Sequence, residues 1–248
     1  MSRLDGSGHF WVKVRTMLWL AAVACLLHCS ATAAARAAAC ADLRPEFRRL
    51  GLATKAQGRR NTCSVCTMTA AMEFALSKKL NRGASLSAEY LNWACNQVIG
   101  NRTEDRGQFF RDLEQGFNRW GTCAESLMPY APAFAPDYSP SRQALQSAQW
   151  VRAEGLQFRW IKPNDGKVGV THAHLEQTKQ ALRAGWPVCA GASHSVLVVG
   201  FLDDPSLPGG GRFYTRDSGS GSEGSLTYAD ALARLCDILW VEAPTGPR

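Results

Sequence analysis

A thiol at Cys63, an imidazole at His194 and a carboxylate at Asp217 are the side chains in this sequence that together could carry out acyl transfer. Cys63 ends the run Gln57-Gly-Arg-Arg-Asn-Thr-Cys63 and opens an apolar segment that reads as a buried helix. At a helix start, unpaired backbone N–H groups and the helix dipole favour an anion. They lower a thiol pKa and can hold a developing oxyanion. Gln57, on the loop leading in, offers a side-chain donor to the same place. A thiolate nucleophile needs an imidazole partner. His194 begins Ser-Val-Leu-Val-Val-Gly, so it stands at the mouth of an apolar strand, where it is held rigidly and can face a cleft. Asp217 closes a second strand and could accept the His194 Nδ1–H, fixing the ring. Each residue also has a plainer reading. Cys63 could be half of a disulfide or an inert thiol, His194 a core histidine, and Asp217 a turn aspartate before the Gly/Ser-rich stretch at 218–225.

Other candidates are weaker. Cys66 lies one turn inside the helix, where no free N–H points at it, and reads as core or disulfide. His172 and His174 read as an exposed turn before a helix rather than as metal ligands, and no metal or cofactor is expected. Asn101-Arg102-Thr103 is a glycosylation sequon, usable only in a host that modifies exported chains.

The elements that must position these residues follow from hydrophobic periodicity. Cys63 to Lys79 is apolar nearly all round, with Val65, Met68, Met72 and Leu76 on one face and Cys66, Ala70 and Phe74 on another. Asn61 or Thr62 can cap it, and Gly83 lies past its end. A second helix is predicted from Ser87 through Val98, and a third after Thr103 carrying Phe109, Phe110, Leu113 and Phe117 and stopping near Gly121. Residues 41–60 read as irregular. The proline-rich stretch from Met128 to Pro140 marks a crossing. Beyond it come a short helix at 141–150 and a helix at 173–184. Strands are predicted at 156–161, 187–190, 195–201, 212–216 and 237–242. Helices first and mostly strands after predict an α+β chain of two lobes, 34–130 helical and 131–248 β-rich.

Residues 1–33 have a different character. Arg3, Lys13 and Arg15 precede an apolar run from Met17 to Leu27, and Ala31-Thr-Ala33 offers a small-residue cleavage site before Ala34. That is the pattern of a secretory signal peptide. The apolar run is shorter than the roughly 20 residues that span a bilayer, so no stable membrane insertion is expected once it is removed. A secreted or periplasmic location follows. The net charge of +7 is spread over scattered basic residues, which gives no sign of nucleic-acid binding. Nine cysteines less Cys25 and Cys29 leave an odd number, which fits one reactive thiol plus disulfides. Cys95 with Cys123 and Cys189 with Cys236 are the expected pairs.

Several segments, in this order, resemble the papain-like (C1-family) cysteine peptidases. They are Gln57–Phe74, Leu86-Ser-Ala-Glu89, Glu125-Ser-Leu-Met-Pro-Tyr130, Gly185-Trp-Pro-Val188, Ser193-His-Ser-Val-Leu-Val-Val-Gly200 and Phe213–Gly221. The Cys-to-His separation falls in that family's range of roughly 130–150 residues. The resemblance covers about residues 45–242 and identifies a divergent, short, bacterial-type form. It implies a papain-like two-lobed fold, with a helical N-terminal lobe, an antiparallel β-sheet or barrel C-terminal lobe, and a cleft between them. It also implies Cys63 as nucleophile, His194 as base, Gln57 in the oxyanion hole and Asp217 in place of the family's usual asparagine.

The expected activity is a cysteine peptidase acting on peptide or protein substrates. The alternatives are another Cys-His acyl-transfer enzyme, of transglutaminase-like or bacteriocin-processing type, or a non-catalytic scaffold of the same shape. The chain departs from the family pattern at Arg60, where a cysteine usually stands, at Ser64 in place of an aromatic, and at Gly219 in place of a shielding tryptophan. The stretch from Val188 to His194 is short, and residues 34–56 leave no room for an inhibitory prodomain.

Overall fold

The computed structural model describes residues 39–244. The candidate signal peptide, residues 1–33, lies outside them. The described chain begins with a short strand, β1 (Cys40–Asp42), and a one-and-a-half-turn helix, α1 (Arg44–Arg49). Then come α2 (Cys63–Leu80), α3 (Ala88–Ile99) and α4 (Phe110–Trp120). After the proline-rich crossing follow α5 (Arg142–Ala153), β2 (Gln157–Lys162), α6 (His172–Arg183), β3 (Val188–Gly191), β4 (Val196–Asp203) and β5 (Gly211–Asp217). Strand β6 (Ser222–Thr227), helix α7 (Tyr228–Arg234) and strand β7 (Asp237–Glu242) complete it.

The strands form one sheet of order β2-β7-β3-β4-β5-β6, with β1 beside β4 off this path. All pairings along the path are antiparallel. Among the described residues the sheet is open, not a closed barrel. Helix α2 is the axis of the core. Its Val65, Met68, Met72 and Phe74 are fully buried and share one apolar cluster with Cys189, Leu197, Val199, Leu239 and Val241 of the sheet. The near-continuous apolar surface of α2 is thus explained by helices on one side and the sheet on the other. A second cluster fills the opposite face of the sheet under α6 and α7.

The helical side holds a third cluster around Tyr90, Cys123 and Met128. Helix α5 joins it through Ala144 and Ala148 although it follows the proline-rich crossing. Gly116 and Gly121 make these contacts possible. A Cβ on Gly116 would fall 2.7 Å from the Cys95 nitrogen, and one on Gly121 only 2.3 Å from the Ala148 carbonyl oxygen.

Several expectations need correction. Helix α4 starts at Phe110, and 103–108 is loop. Residues 41–60 contain β1 and α1, and the Gly/Ser-rich stretch after Asp217 turns into the exposed edge strand β6. The expected disulfides are absent: Cys95, Cys123, Cys189 and Cys236 are thiols. Cys95 donates to Gln108 Oε1 at 3.3 Å, and Cys189 points into the core toward the Thr67 carbonyl at 3.8 Å. The β3–β7 register opposes Cys189 to Leu239. Cys236 lies three residues before Leu239 and just outside that strand, about 10 Å away at roughly 3.3 Å per residue, beyond disulfide reach.

Candidate active site

The site is built on the N-terminus of α2. Its first intrahelical bond runs from the Cys66 N–H to the Thr62 carbonyl at 2.9 Å. The N–H groups of Cys63, Ser64 and Val65 therefore have no acceptor within the helix. No acidic residue of the helix itself occupies this first turn. Thr62 is the N-cap residue, yet its side chain does not cap. Its hydroxyl is hydrogen-bonded to the Tyr130 hydroxyl instead. Cys63 itself is half-buried. Cys66, one turn on, is a core thiol; burial pushes its pKa up to about 11, so it stays protonated.

His194 sits in the loop between β3 and β4. The run of β3 fixes which end of α2 that loop reaches. Lys78, near the C-terminus of α2, donates to the Gly185 carbonyl at 3.0 Å, just before β3. Cys189, inside β3, reaches Thr67, one turn from the N-terminus. Strand β3 therefore runs antiparallel to α2, and the loop that follows it emerges at the end of the molecule where Cys63 stands.

Strand β5 delivers Asp217 to the same end, since Arg216 lies opposite Leu197 in the β4–β5 register. His194 Nε2 and Asp217 Oδ1 are 2.6 Å apart. The ring nitrogen that meets the carboxylate is thus Nε2, not Nδ1, and Nδ1 is left for the other side of the ring. Asp217 also accepts the Gly219 N–H at Oδ1 (2.8 Å) and the Ser220 hydroxyl at Oδ2 (3.2 Å). Partial burial raises its pKa, but these hydrogen bonds outweigh it and hold the carboxyl below its ordinary value. Gly219 lies against the ring: a Cβ there would stand 3.2 Å from His194 Cε1. A large aromatic at 219, as the family carries, has no counterpart here, and the His194 side chain is 41% exposed.

The loop before α2 is tied to the end of β5. Arg216 donates to the Leu52 carbonyl (2.8 Å) and to Thr54 Oγ1 (3.0 Å). The Gln57 N–H donates to the Ser218 carbonyl at 2.9 Å, and the Ser218 hydroxyl donates to Gln57 Oε1 at 2.8 Å. Gln57 Nε2 donates one hydrogen to the Arg60 carbonyl at 2.8 Å; an amide nitrogen carries a second. Gln57 and Asp217 are thereby locked together through Ser218.

Arg60, at the position where the family carries a cysteine, is 2% exposed. It pairs with Glu89 of α3, donates to the Ala131 carbonyl at 3.2 Å and stands 3.4 Å from Asp105. An ion-pair network thus fastens this loop to the helical side. Sequence reasoning did not find Tyr130, Arg60 and Ser218 as parts of the site. The charged residue at a position the family gives to cysteine was the available signal for Arg60. His172 and His174 open α6 rather than precede it. The His174 N–H meets Thr171 Oγ1 and its Nδ1 accepts the Thr171 N–H, a reciprocal cap with no link to the site.

No protein-family model matches the sequence, and no curated protein matches it. Solved structures do match. Xylellain, a cysteine protease from Xylella fastidiosa, superposes with a TM-score of 0.61 at 18% identity, covering 83% of this chain and 86% of that one. A digestive procathepsin L 3 from the larval midgut of Tenebrio molitor gives 0.54 at 17% identity, covering 82% and 69%. The clostridial cysteine protease Cwp84 gives 0.60 at 17% identity; the match covers 84% of this chain and 59% of that longer one. Helix α2 packed on an antiparallel sheet, with the ends of β3 and β5 brought to its N-terminus, is the fold of the papain-like cysteine proteases.

Proposed function

We propose that the protein is a cysteine peptidase in which Cys63 is the nucleophile, His194 the general base and acid, Asp217 the group that orients the imidazole, and Gln57 a donor to the oxyanion. The observation that carries this reading is the His194–Asp217 pair, 2.6 Å apart, delivered to the end of α2 that Cys63 opens.

Cys63 gives its proton to His194 Nδ1, while Nε2–H stays on Asp217. The thiolate adds to a peptide carbonyl, and the oxyanion is met by the Cys63 N–H and the second Gln57 Nε2 hydrogen. Collapse of the adduct breaks the C–N bond; His194 hands its proton to the leaving amine and an acyl-thioester remains. His194 then takes a proton from water, whose oxygen adds to the thioester carbonyl, and the carboxylic acid and free thiol are released. Substrates are peptides or proteins. The leader-like residues 1–33 accord with action outside the cytoplasm, after processing before Ala34.

The test is hydrolysis of a mixed peptide substrate by the wild type and by Cys63→Ala, with products identified by mass. New free carboxylates from the wild type and none from the variant, at an unchanged thermal transition, are the expected results. Equal turnover by Cys63→Ala rules the nucleophile out. Incorporation of an added amine without release of free acid would instead make the enzyme an acyltransferase.

A further inference from the structure

We propose that Tyr130 is a positioning residue: its hydroxyl sets the spacing between the oxyanion donor Gln57 and the nucleophile Cys63. The inference rests on the peptidase reading above and adds to it a residue that touches neither substrate nor the reacting atoms.

Tyr130 lies just past the helical half of the chain, where it comes back over the loop that enters α2. Its hydroxyl is 3.0 Å from the Gln57 carbonyl and is hydrogen-bonded to the Thr62 hydroxyl. A carbonyl can only accept, so the single phenolic hydrogen goes to Gln57, and Thr62 donates to the Tyr130 oxygen. Burial pushes the Tyr130 pKa up to about 12, so this hydrogen is present at every working pH. One oxygen therefore spans the two ends of the loop Gln57–Thr62, whose last residue precedes Cys63.

The tyrosine is itself fixed. Its N–H donates to Glu125 Oε1 at 2.9 Å, and the Arg60 guanidinium stands 5.0 Å from its ring centroid. Arg60 is in turn held by Glu89, which also accepts the Ala131 N–H at 3.1 Å. Thr62 has given up its ordinary role as helix cap to make this contact. A hydroxyl that orders the loop in this way should act on acyl transfer, which needs the Gln57 donor and the Cys63 N–H at a fixed separation. It should not act on simple alkylation of the Cys63 sulfur, which develops no oxyanion.

The experiment is Tyr130→Phe, which removes one oxygen and keeps the ring over Arg60. Peptide hydrolysis and alkylation of Cys63 by iodoacetamide are measured on the same samples, with Cys63→Ala as reference. The expected result is a kcat about tenfold lower, KM within twofold and the alkylation rate unchanged. A wild-type kcat in Tyr130→Phe, with Cys63→Ala inactive, overturns the inference and leaves the peptidase reading standing. Parallel loss of kcat and alkylation rate also overturns it, because the hydroxyl would then be supporting the fold or the thiol generally. Activity in Cys63→Ala would remove the peptidase reading itself.

Discussion

Truncating Asp217 to alanine removes the carboxylate that meets His194 Nε2 at 2.6 Å while leaving Cys63, Gln57 and the α2 N-terminus untouched. A hydrogen bond to a charged group contributes about 1.5–3 kcal/mol, against about 0.5–1.5 for a neutral pair. Both partners are partly open to water, His194 at 41% and Asp217 at 29%, so solvent screening favours the lower end of each range. At roughly 1.4 kcal/mol per decade, about 1.5 kcal/mol lost in Asp217→Ala corresponds to a fall in kcat/KM of about tenfold. Asp217→Asn keeps an oxygen that can accept the Nε2–H and loses only the charge, about 1 kcal/mol at the lower ends of the two ranges, so it should retain about a fifth of wild-type activity. Ser220 and the Gly219 N–H also lose their acceptor in the alanine variant, so the thermal transition is followed in parallel to separate loop loosening from loss of orientation. The assay is initial-rate hydrolysis of one fluorogenic peptide across pH. An alanine variant as active as wild type, or an asparagine variant worse than alanine, would refute the orienting role.

Three further outcomes follow from the same structure. Arg60→Ala strands the buried Glu89 carboxylate, a loss of about 3–5 kcal/mol that should lower the melting temperature by about 10 °C; a shift under 2 °C would mean the pair is solvated. Burial raises Cys66 to about 11 and Cys95 and Cys123 to about 12, so their protonated thiols favour the folded state. That stability is complete below the ordinary thiol pKa of about 8.5 and is lost as pH rises toward the folded values, so the melting temperature should fall progressively above pH 9. A flat profile from pH 8 to 10.5 contradicts the assignment. Maleimide added to unreduced, denatured protein should label Cys95, Cys123, Cys189 and Cys236 fully, and protection of any of these pairs would show a bridge.

The parts of the fold that bury a continuous apolar face were legible in the sequence. Helix α2 announced itself through its all-round apolar surface, and β4 and β7 through short apolar runs ending in turn residues. Strand β6 did not, because Ser222–Thr227 lies at the sheet edge with most side chains in solvent. No alternation marks it; it exists because β5 presents an open row of backbone groups. Helix α1 is six residues long and rests on Phe47 alone, too little for periodicity to reveal.

At the candidate site, Cys63, His194 and Asp217 stand out in the sequence because each lies at or beside the end of a helix or strand, and Gln57 because it lies on the loop leading to Cys63. The ties between them could not. That Gln57 reaches Asp217 through Ser218, or that Arg60 crosses to Glu89, depends on a register between distant segments that single-residue reasoning does not supply. The disulfide expectation failed for a related reason. Counting thiols ignores which face of which strand each occupies, and Cys189 faces the core while Cys236 lies beyond the end of its partner's register.

The central claim is that Cys63 and His194 work as one unit, and the rate of Cys63 alkylation between pH 5 and 6, in wild type and in His194→Ala, tests it most directly. The account predicts rapid, selective labelling of Cys63 in the wild type, because His194 is the base that takes the thiol proton, and a fall of at least tenfold in the variant. Labelling of Cys63 at the same rate in both proteins would contradict it.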